Sequence, residues 1–151
     1  METIPSVLSC SFYIKIDRPI QDVFDAVYRN DLLSSYFTTG GASGNLDEGT
    51  TVNWGFADYA DGEPFPVKVI KTQAPTQLHL QWGSKVEGEW NDVKIEFEEL
   101  TATKTLVRVT ESGWPNTPTG IEGSIENSGG WANMVTCLKA FVEHGISLRS
   151  F

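Results

Sequence analysis

The chain has 151 residues, of which 40% are hydrophobic and 21% are charged, a balance that is typical of a folded domain and excludes a disordered chain. Its formal net charge is −9, and no segment concentrates its few lysines and arginines, which excludes the basic surface that nucleic acid binding requires. No apolar run approaches the roughly 18 residues that a membrane-spanning helix needs, so membrane insertion is not expected.

The number of cysteines and the N-terminal residues indicate the cellular compartment of the protein. Residues 1–7 show neither the basic region nor the apolar region of a secretory signal. The two cysteines, Cys10 and Cys137, lie far apart in sequence, and both are predicted on inward faces, where a free thiol behaves as a small hydrophobic group. A secreted scaffold would use more disulfides. We therefore expect a cytoplasmic protein with two free cysteines.

The first elements are a strand and two short helices. Apolar and polar residues alternate from Cys10 to Asp17, the pattern of a half-buried strand. Pro19 suits the first turn of a helix, and apolar residues at helical spacing predict an amphipathic helix from Pro19 to Tyr28. A second short helix is predicted from Asp31 to Phe37, where an acidic residue favours a helix N-terminus. It ends at the glycines Gly40 and Gly41.

Between about residue 51 and residue 113 the apolar period changes to two, which predicts five strands. Their inward residues are Val52, Trp54 and Phe56; Val67 and Val69; Leu78, Leu80 and Trp82; Val93, Ile95 and Phe97; and Val107 and Val109. Turn residues separate the strands, as at Asp61-Gly62, Ala74-Pro75 and Glu87-Gly88. Because these connections are too short for parallel crossovers, the strands are predicted to form an antiparallel meander.

The C-terminal part of the chain predicts a long helix. Residues 114–130 are rich in Gly, Pro, Asn, Thr and Ser, and their first part is predicted to be a loop. Within them, residues 121–127 are compatible with either a loop or a helix. From Trp131 to Val142 apolar residues recur at intervals of three and four until Gly145. The expected helix therefore starts near Trp131, carries one apolar stripe and ends at a glycine.

The order of these elements predicts an α+β fold in a single domain covering residues 1–151. An antiparallel sheet of about six or seven strands needs a cover on its apolar face. Only the terminal helix is long and apolar enough, so the sheet is expected to curve round it. The first strand is expected to pair with the last, because its edges need a partner. This arrangement leaves space for a cavity bordered by the two short helices.

Four segments carry a resemblance to known proteins: residues 16–27, from the first strand into the helix; residues 49–54; residues 78–82; and residues 129–145 in the terminal helix. In this order and spacing they resemble the START-type helix-grip superfamily, and within it the domain similar to the C-terminal part of the activator of Hsp90 ATPase. The resemblance covers nearly the whole chain and implies a helix-grip fold with a pocket for an apolar or amphipathic small molecule. The superfamily includes lipid carriers, hormone receptors, polyketide cyclases and co-chaperone domains, so the fold does not select one function.

The candidate binding residues are those expected to face the cavity. Large aromatic side chains on inward faces either fill the core or line a cleft. Glu111 faces inward by parity with Val107 and Val109, where a carboxylate could act as an acid, a base or a ligand anchor. The alternative, which we favour from sequence, places Glu111 in water at a frayed strand end. The predicted set is Phe37, Trp54, Trp82, Phe97, Val109, Glu111, Trp131, Val135 and Leu138.

No catalytic residue, metal site or cofactor is predicted. His79 alternates outward and His144 lies in the last helical turn, and neither has a Cys or His neighbour at metal-ligand spacing. The acidic loop at residues 58–63 lacks the alternating ligands of a calcium-binding loop and is predicted to be a solvated turn.

Three hypotheses for function remain open at this point. The first is non-enzymatic binding of a small hydrophobic molecule, such as a lipid or a polyketide-like compound. The second is a cyclase or hydrolase that uses the same cavity, with Glu111 as its ionisable group. The third is a protein-interaction module with a chaperone as its partner, which predicts a filled interior and an exposed apolar patch. Formation of a homodimer is compatible with all three.

Overall fold

The computed structural model describes residues 3–58, 62–84 and 88–149. It confirms the predicted α+β class, with a curved seven-stranded antiparallel sheet and one long C-terminal helix. The elements in chain order are β1 (Val7–Ile16), α1 (Ile20–Tyr28), α2 (Asn30–Leu33), β2 (Gly41–Ala42), β3 (Thr51–Gly55), β4 (Phe65–Gln73), β5 (Gln77–Gly83), β6 (Trp90–Thr101), β7 (Lys104–Pro115) and α3 (Pro118–His144). The predicted turns at Asp61-Gly62 and Glu87-Gly88, and the predicted acidic loop at 58–63, lie partly outside the described residues.

The strand order β1-β7-β6-β5-β4-β3-β2 makes the sheet a meander that β1 joins from the opposite edge. The predicted pairing of the first and last long strands is confirmed, because β1 and β7 are antiparallel neighbours. Within this register Glu111 on β7 stands opposite Cys10 on β1 and Val93 on β6. Residue 111 therefore lies in the interior of the sheet.

Strict alternation puts one face of the sheet into the core. On β6, for example, Val93, Ile95 and Phe97 are buried while the residues between them are exposed. Phe24 of α1 packs edge-on against Phe97, with the two ring centroids 5.3 Å apart. One hydrophobic cluster joins α1, the sheet and α3, as the alternation and the helical stripe predict.

Helix α3 starts at Pro118, so the predicted start near Trp131 is wrong. The Thr117 side chain caps the helix by accepting a hydrogen bond from the backbone N–H of Gly120 at 3.2 Å, and Pro118 occupies the first helical position. The adjacent glycines 129 and 130 are accommodated within the helix, because tertiary contacts outweigh their low helix propensity. The predicted stop is confirmed, since Gly145 adopts a left-handed conformation with φ 67°.

Two further differences concern short elements. The second helix covers Asn30–Leu33 and not the predicted 31–37, because the chain then tightens into turns, with the Ser35 N–H donating to the Leu32 carbonyl at 3.0 Å. Strand β2 was not predicted, since its two residues are too few to show a period. His79 is less exposed than predicted, because it pairs with Asp92 across the strands at 2.7 Å.

Both cysteines are free, as predicted. Cys137 is buried on α3, and burial raises the pKa of its thiol. Within the described part of the chain, no helix combines the length and apolarity that crossing a membrane would demand.

Candidate functional site

A cavity of about 350 Å³ opens beside the middle of α3. Its walls come from α3, from the strands β4 and β5, from the segments that follow α2 and β3, and from the tail after α3. The lining residues are Phe37, Phe56, Phe65, Trp82, Glu126, Asn127, Gly129, Gly130, Trp131, Asn133 and Arg149. This volume is at the lower end of the range of small-molecule sites, roughly 300–1,000 Å³.

Five aromatic rings form the apolar part of the wall. Trp82 of β5 stacks on Trp131 of α3, with the ring centroids 5.1 Å apart and an interplanar angle of 28°. Phe65 meets Trp82 edge-on at 5.7 Å and stacks against Phe56 at 5.8 Å. Phe37 lies 6.1 Å from Trp131. The rings thus make a continuous wall that links the sheet to the helix.

Glu111 holds the two indoles of this wall from behind. Its Oε1 accepts a hydrogen bond from Nε1 of Trp131 at 2.7 Å, and its Oε2 accepts from Nε1 of Trp82 at 2.8 Å. The side-chain amide of Asn91 donates to Oε2 at 2.9 Å, and that of Asn127 lies 3.1 and 3.2 Å from the two oxygens. One carboxylate therefore ties together three strands and the helix.

The interpretation of Glu111 as a solvated residue at a frayed strand end is wrong, because it is 0% exposed. Strand β7 continues to Pro115 and is flanked by β1 and β6 at this position. All four side-chain partners are N–H donors, and both oxygens accept, which suits the ionised form of the carboxyl group. None of these four donors carries a positive charge.

The predicted binding residues divide into two groups. Phe37, Trp82 and Trp131 line the cavity. The other six are buried but lie outside its lining: Trp54, Phe97, Val109, Glu111, Val135 and Leu138. Trp54, for example, packs edge-on against Phe37 and Trp82. The alternation along a strand does not distinguish the two groups, because the same face of the sheet borders both the filled core and the cavity. Their contact with a ligand stays a prediction.

Several lining residues were missed from sequence. Phe65 shares its parity with Val67 and Val69 on β4, so its inward direction could have been found. Asn127, Gly129 and Gly130 were assigned to the stretch before the expected start of the helix near Trp131. Arg149 had no local signal, because the path of the chain after α3 depends on tertiary contacts.

Arg149 closes one side of the cavity. Its side chain is 8% exposed, and its Nε and Nη2 both donate to Oδ2 of Asp58, at 2.9 and 2.7 Å. The guanidinium lies over the rings of Phe37 and Phe56, 5.8 and 5.3 Å from the centroids. Asp58 also accepts a hydrogen bond from Thr39 at 2.6 Å. These contacts fasten the tail across the cavity.

We expect acid to weaken this fastening. Burial alone would raise the pKa of Asp58, but hydrogen bonds from Thr39 and Arg149 and the charge of Arg149 outweigh burial and lower that pKa. A carboxyl group whose pKa is lower in the folded than in the unfolded protein stabilises the fold at pH values above its unfolded pKa. This stabilisation is lost as the pH falls through the pKa of the folded state. The difference in unfolding free energy between wild type and Asp58→Asn should therefore shrink between neutral pH and the acid range below the usual carboxyl pKa.

Urea unfolding at a series of pH values measures this difference. Asp47→Asn serves as a control, because the Asp47 carboxylate accepts a hydrogen bond from the Tyr28 hydroxyl and has no arginine partner among the described residues. A difference between wild type and Asp58→Asn that stays constant with pH would contradict the expectation.

The described residues contain no cluster of three or more His, Cys, Asp or Glu side chains arranged to hold a metal ion.

The fold and this geometry can be compared with known proteins. A Staphylococcus saprophyticus protein is similar to this chain with a TM-score of 0.78 at 21% identity, covering 95% of this chain and 98% of that chain. The Aha1 dimer from Colwellia psychrerythraea is similar with a TM-score of 0.76 at 21% identity, covering 91% and 98% respectively. DynU16, a protein of the dynemicin biosynthetic locus, has a TM-score of 0.76 at 21% identity, covering 94% of this chain and 49% of that chain. At this level of identity the likeness shows a shared fold.

No curated protein sequence matches the chain. The model of one protein family, described as Activator of Hsp90 ATPase homolog 1-like protein, matches residues 17–143. That range begins directly after β1, extends almost to the end of α3 and includes the strands β2 to β7. The chain therefore belongs to the Activator of Hsp90 ATPase homolog 1-like family.

Proposed function

We propose that this protein binds a small hydrophobic or amphipathic molecule, without catalysis, in the cavity beside α3. The observation that carries the proposal is the cavity of about 350 Å³ with five aromatic rings in its wall. Such a wall offers apolar area, worth roughly 25 cal/mol per Å² buried before ordering costs. A few polar side chains at the edge, from Asn127, Asn133 and Arg149, would orient the molecule.

Preorganisation of the wall supports binding. The indoles of Trp82 and Trp131 are fixed by their hydrogen bonds to Glu111 before any ligand arrives. A ligand that stacks on them therefore incurs little side-chain ordering cost. A protein-interaction module of the kind considered from sequence would be expected to have a filled interior, so the cavity favours small-molecule binding over that hypothesis.

The same hydrogen bonds argue against a catalytic role for Glu111. A general acid or base must reach a proton on the substrate, but both oxygens of this carboxylate already accept hydrogen bonds and the side chain is 0% exposed. A positioning role accounts for each of its contacts. We therefore favour non-enzymatic binding over the cyclase or hydrolase hypothesis.

Native mass spectrometry of protein purified from its own host would test the proposal, followed by titration with lipids and aromatic polyketides. We expect a retained small molecule and saturable binding that Trp131→Ala weakens by about tenfold or more, as loss of a buried aromatic contact predicts. Trp90→Ala is the matched control, because Trp90 is 37% exposed and lies under Lys68, outside the cavity lining.

Binding that Trp131→Ala and Trp82→Ala leave as tight as in the wild type would overturn the proposal. Circular dichroism of each variant verifies that the fold is retained. The same native spectra report the oligomeric state and so show whether the chain forms a homodimer.

A further inference from the structure

We infer that the cavity selects molecules that join a flat apolar body to an organic cation, such as an amine or a quaternary ammonium group. This inference rests on the proposed function, because it names the chemical class of the ligand for the same cavity. Three features of the described residues support it: a buried carboxylate behind the wall, the electronic state of the two indoles, and a cation that already lies against the rings.

Among the residues that the structure describes, the buried carboxylate of Glu111 has no cationic partner. Its hydrogen-bond donors are two indoles and two amides, all neutral. The side chain is 0% exposed, so water screens its charge poorly. An ion of positive charge on the cavity side of Trp82 and Trp131 would be attracted to it, whereas an anion placed there would be repelled.

The indoles themselves favour a cation. An aromatic ring attracts a cation through the negative potential of its face, and Trp does so best. Each N–H of Trp82 and Trp131 donates to a carboxylate. Such hydrogen bonds polarise the donor group, and this shifts electron density into the ring and makes its face more negative. Both rings line the cavity.

Arg149 shows that a planar organic cation lies against the aromatic wall of the cavity. Its planar guanidinium lies over Phe37 and Phe56, which both line the cavity. Among the described residues, it is the one Lys, Arg or His side chain of the lining, and its charge is paired with Asp58. Because Asp58 already balances Arg149, this cation does not offset the charge of Glu111, whose donors are neutral among the described residues.

A matched series of probes tests the inference: naphthylmethyl-trimethylammonium, naphthalenemethanol and naphthylacetate, which share the bicyclic ring and differ in the charge of the polar group. Isothermal titration calorimetry on the full chain would give the three dissociation constants. We expect the ammonium probe to bind at least about tenfold more tightly than the carboxylate probe, with the alcohol between them. Added salt should reduce the difference.

Glu126→Gln removes one charge from the cavity edge without touching the core. We expect it to weaken binding of the ammonium probe about threefold and to leave the alcohol unchanged, in line with a partly exposed charge pair. Glu122→Gln is the matched control, since it makes the same change in the same helix outside the lining and should alter neither probe.

The outcomes separate the two proposals. Equal or tighter binding of naphthylacetate would overturn the inference and leave the proposed function standing. An equal effect of Glu122→Gln and Glu126→Gln on the ammonium probe would also overturn it, because a general field of the acidic chain would then explain the preference. If no probe of the series and no lipid or polyketide binds saturably, the proposed function fails and the inference fails with it.

Discussion

Glu111→Gln is expected to lower the free energy of unfolding by about 2–4 kcal/mol, as the loss of charge-assisted hydrogen bonds in a buried site predicts. A carboxylate can accept from donors on both sides, but glutamine has one acceptor oxygen and one NH2 group. Whichever way the amide points, its NH2 group faces N–H donors that the carboxylate had satisfied. One orientation leaves Trp131 without its acceptor, and the other leaves Trp82 and Asn91 without theirs.

Urea denaturation followed by circular dichroism measures the change in unfolding free energy. Glu98→Gln on β6 is the matched control, because Glu98 is exposed and faces away from the core; its effect should be within about 0.5 kcal/mol. Indole N–H resonances in NMR spectra of Glu111→Gln should shift for Trp82 or Trp131 and not for Trp90. Unchanged or increased stability would show that desolvation of the charge costs more than its hydrogen bonds contribute.

Gly120→Ala is expected to destabilise the protein by about 3 kcal/mol or more, since it overfills a closely packed contact. A Cβ atom at residue 120 would lie 1.8 Å from the carbonyl oxygen of Pro115 and 2.9 Å from the carbonyl carbon. These are backbone atoms at the end of β7, so they cannot move aside as a flexible side chain would. The first turn of α3 would have to shift away from the strand and lose the cap that Thr117 provides.

Gly129→Ala in the same helix is the matched control and should have the opposite sign. Nothing lies within 4 Å of a Cβ at residue 129, and alanine is more favourable than glycine in a helix by about 1 kcal/mol. Thermal and urea unfolding of the two variants would measure both effects. Equal effects of the two substitutions would contradict the close contact between residues 120 and 115.

Much of the fold could be predicted because its signals are local. Alternation on β6 and β7 and the apolar stripe after Trp131 each repeat over several turns or residue pairs, so single exceptions do not hide them. The pairing of β1 with β7 followed from the need of each edge for a partner. The start of α3 was misplaced because Thr117 and Pro118 stand in a segment whose glycines and polar residues resemble a loop.

The candidate site was predicted only in part. Trp82 and Trp131 were identified correctly as facing the interior, and both line the cavity. Phe97 and Leu138 have the same inward pattern but fill the core. Whether an inward side chain lines a cavity or fills the core depends on the volume of the side chains packed against it. Those side chains come from elements distant in sequence, so the apolar period of a single strand does not predict the result.

The sequence by itself determined the class of fold, the curved sheet round a terminal helix and the inward faces of the strands. These depend on the spacing of apolar residues along each element and on the order of the elements. Only the tertiary structure decided that Glu111 is buried and holds two indoles, and that Arg149 returns across the cavity. These contacts join residues that are far apart along the chain. Their geometry follows from sheet register and helix position together, so it exists only once the elements have packed.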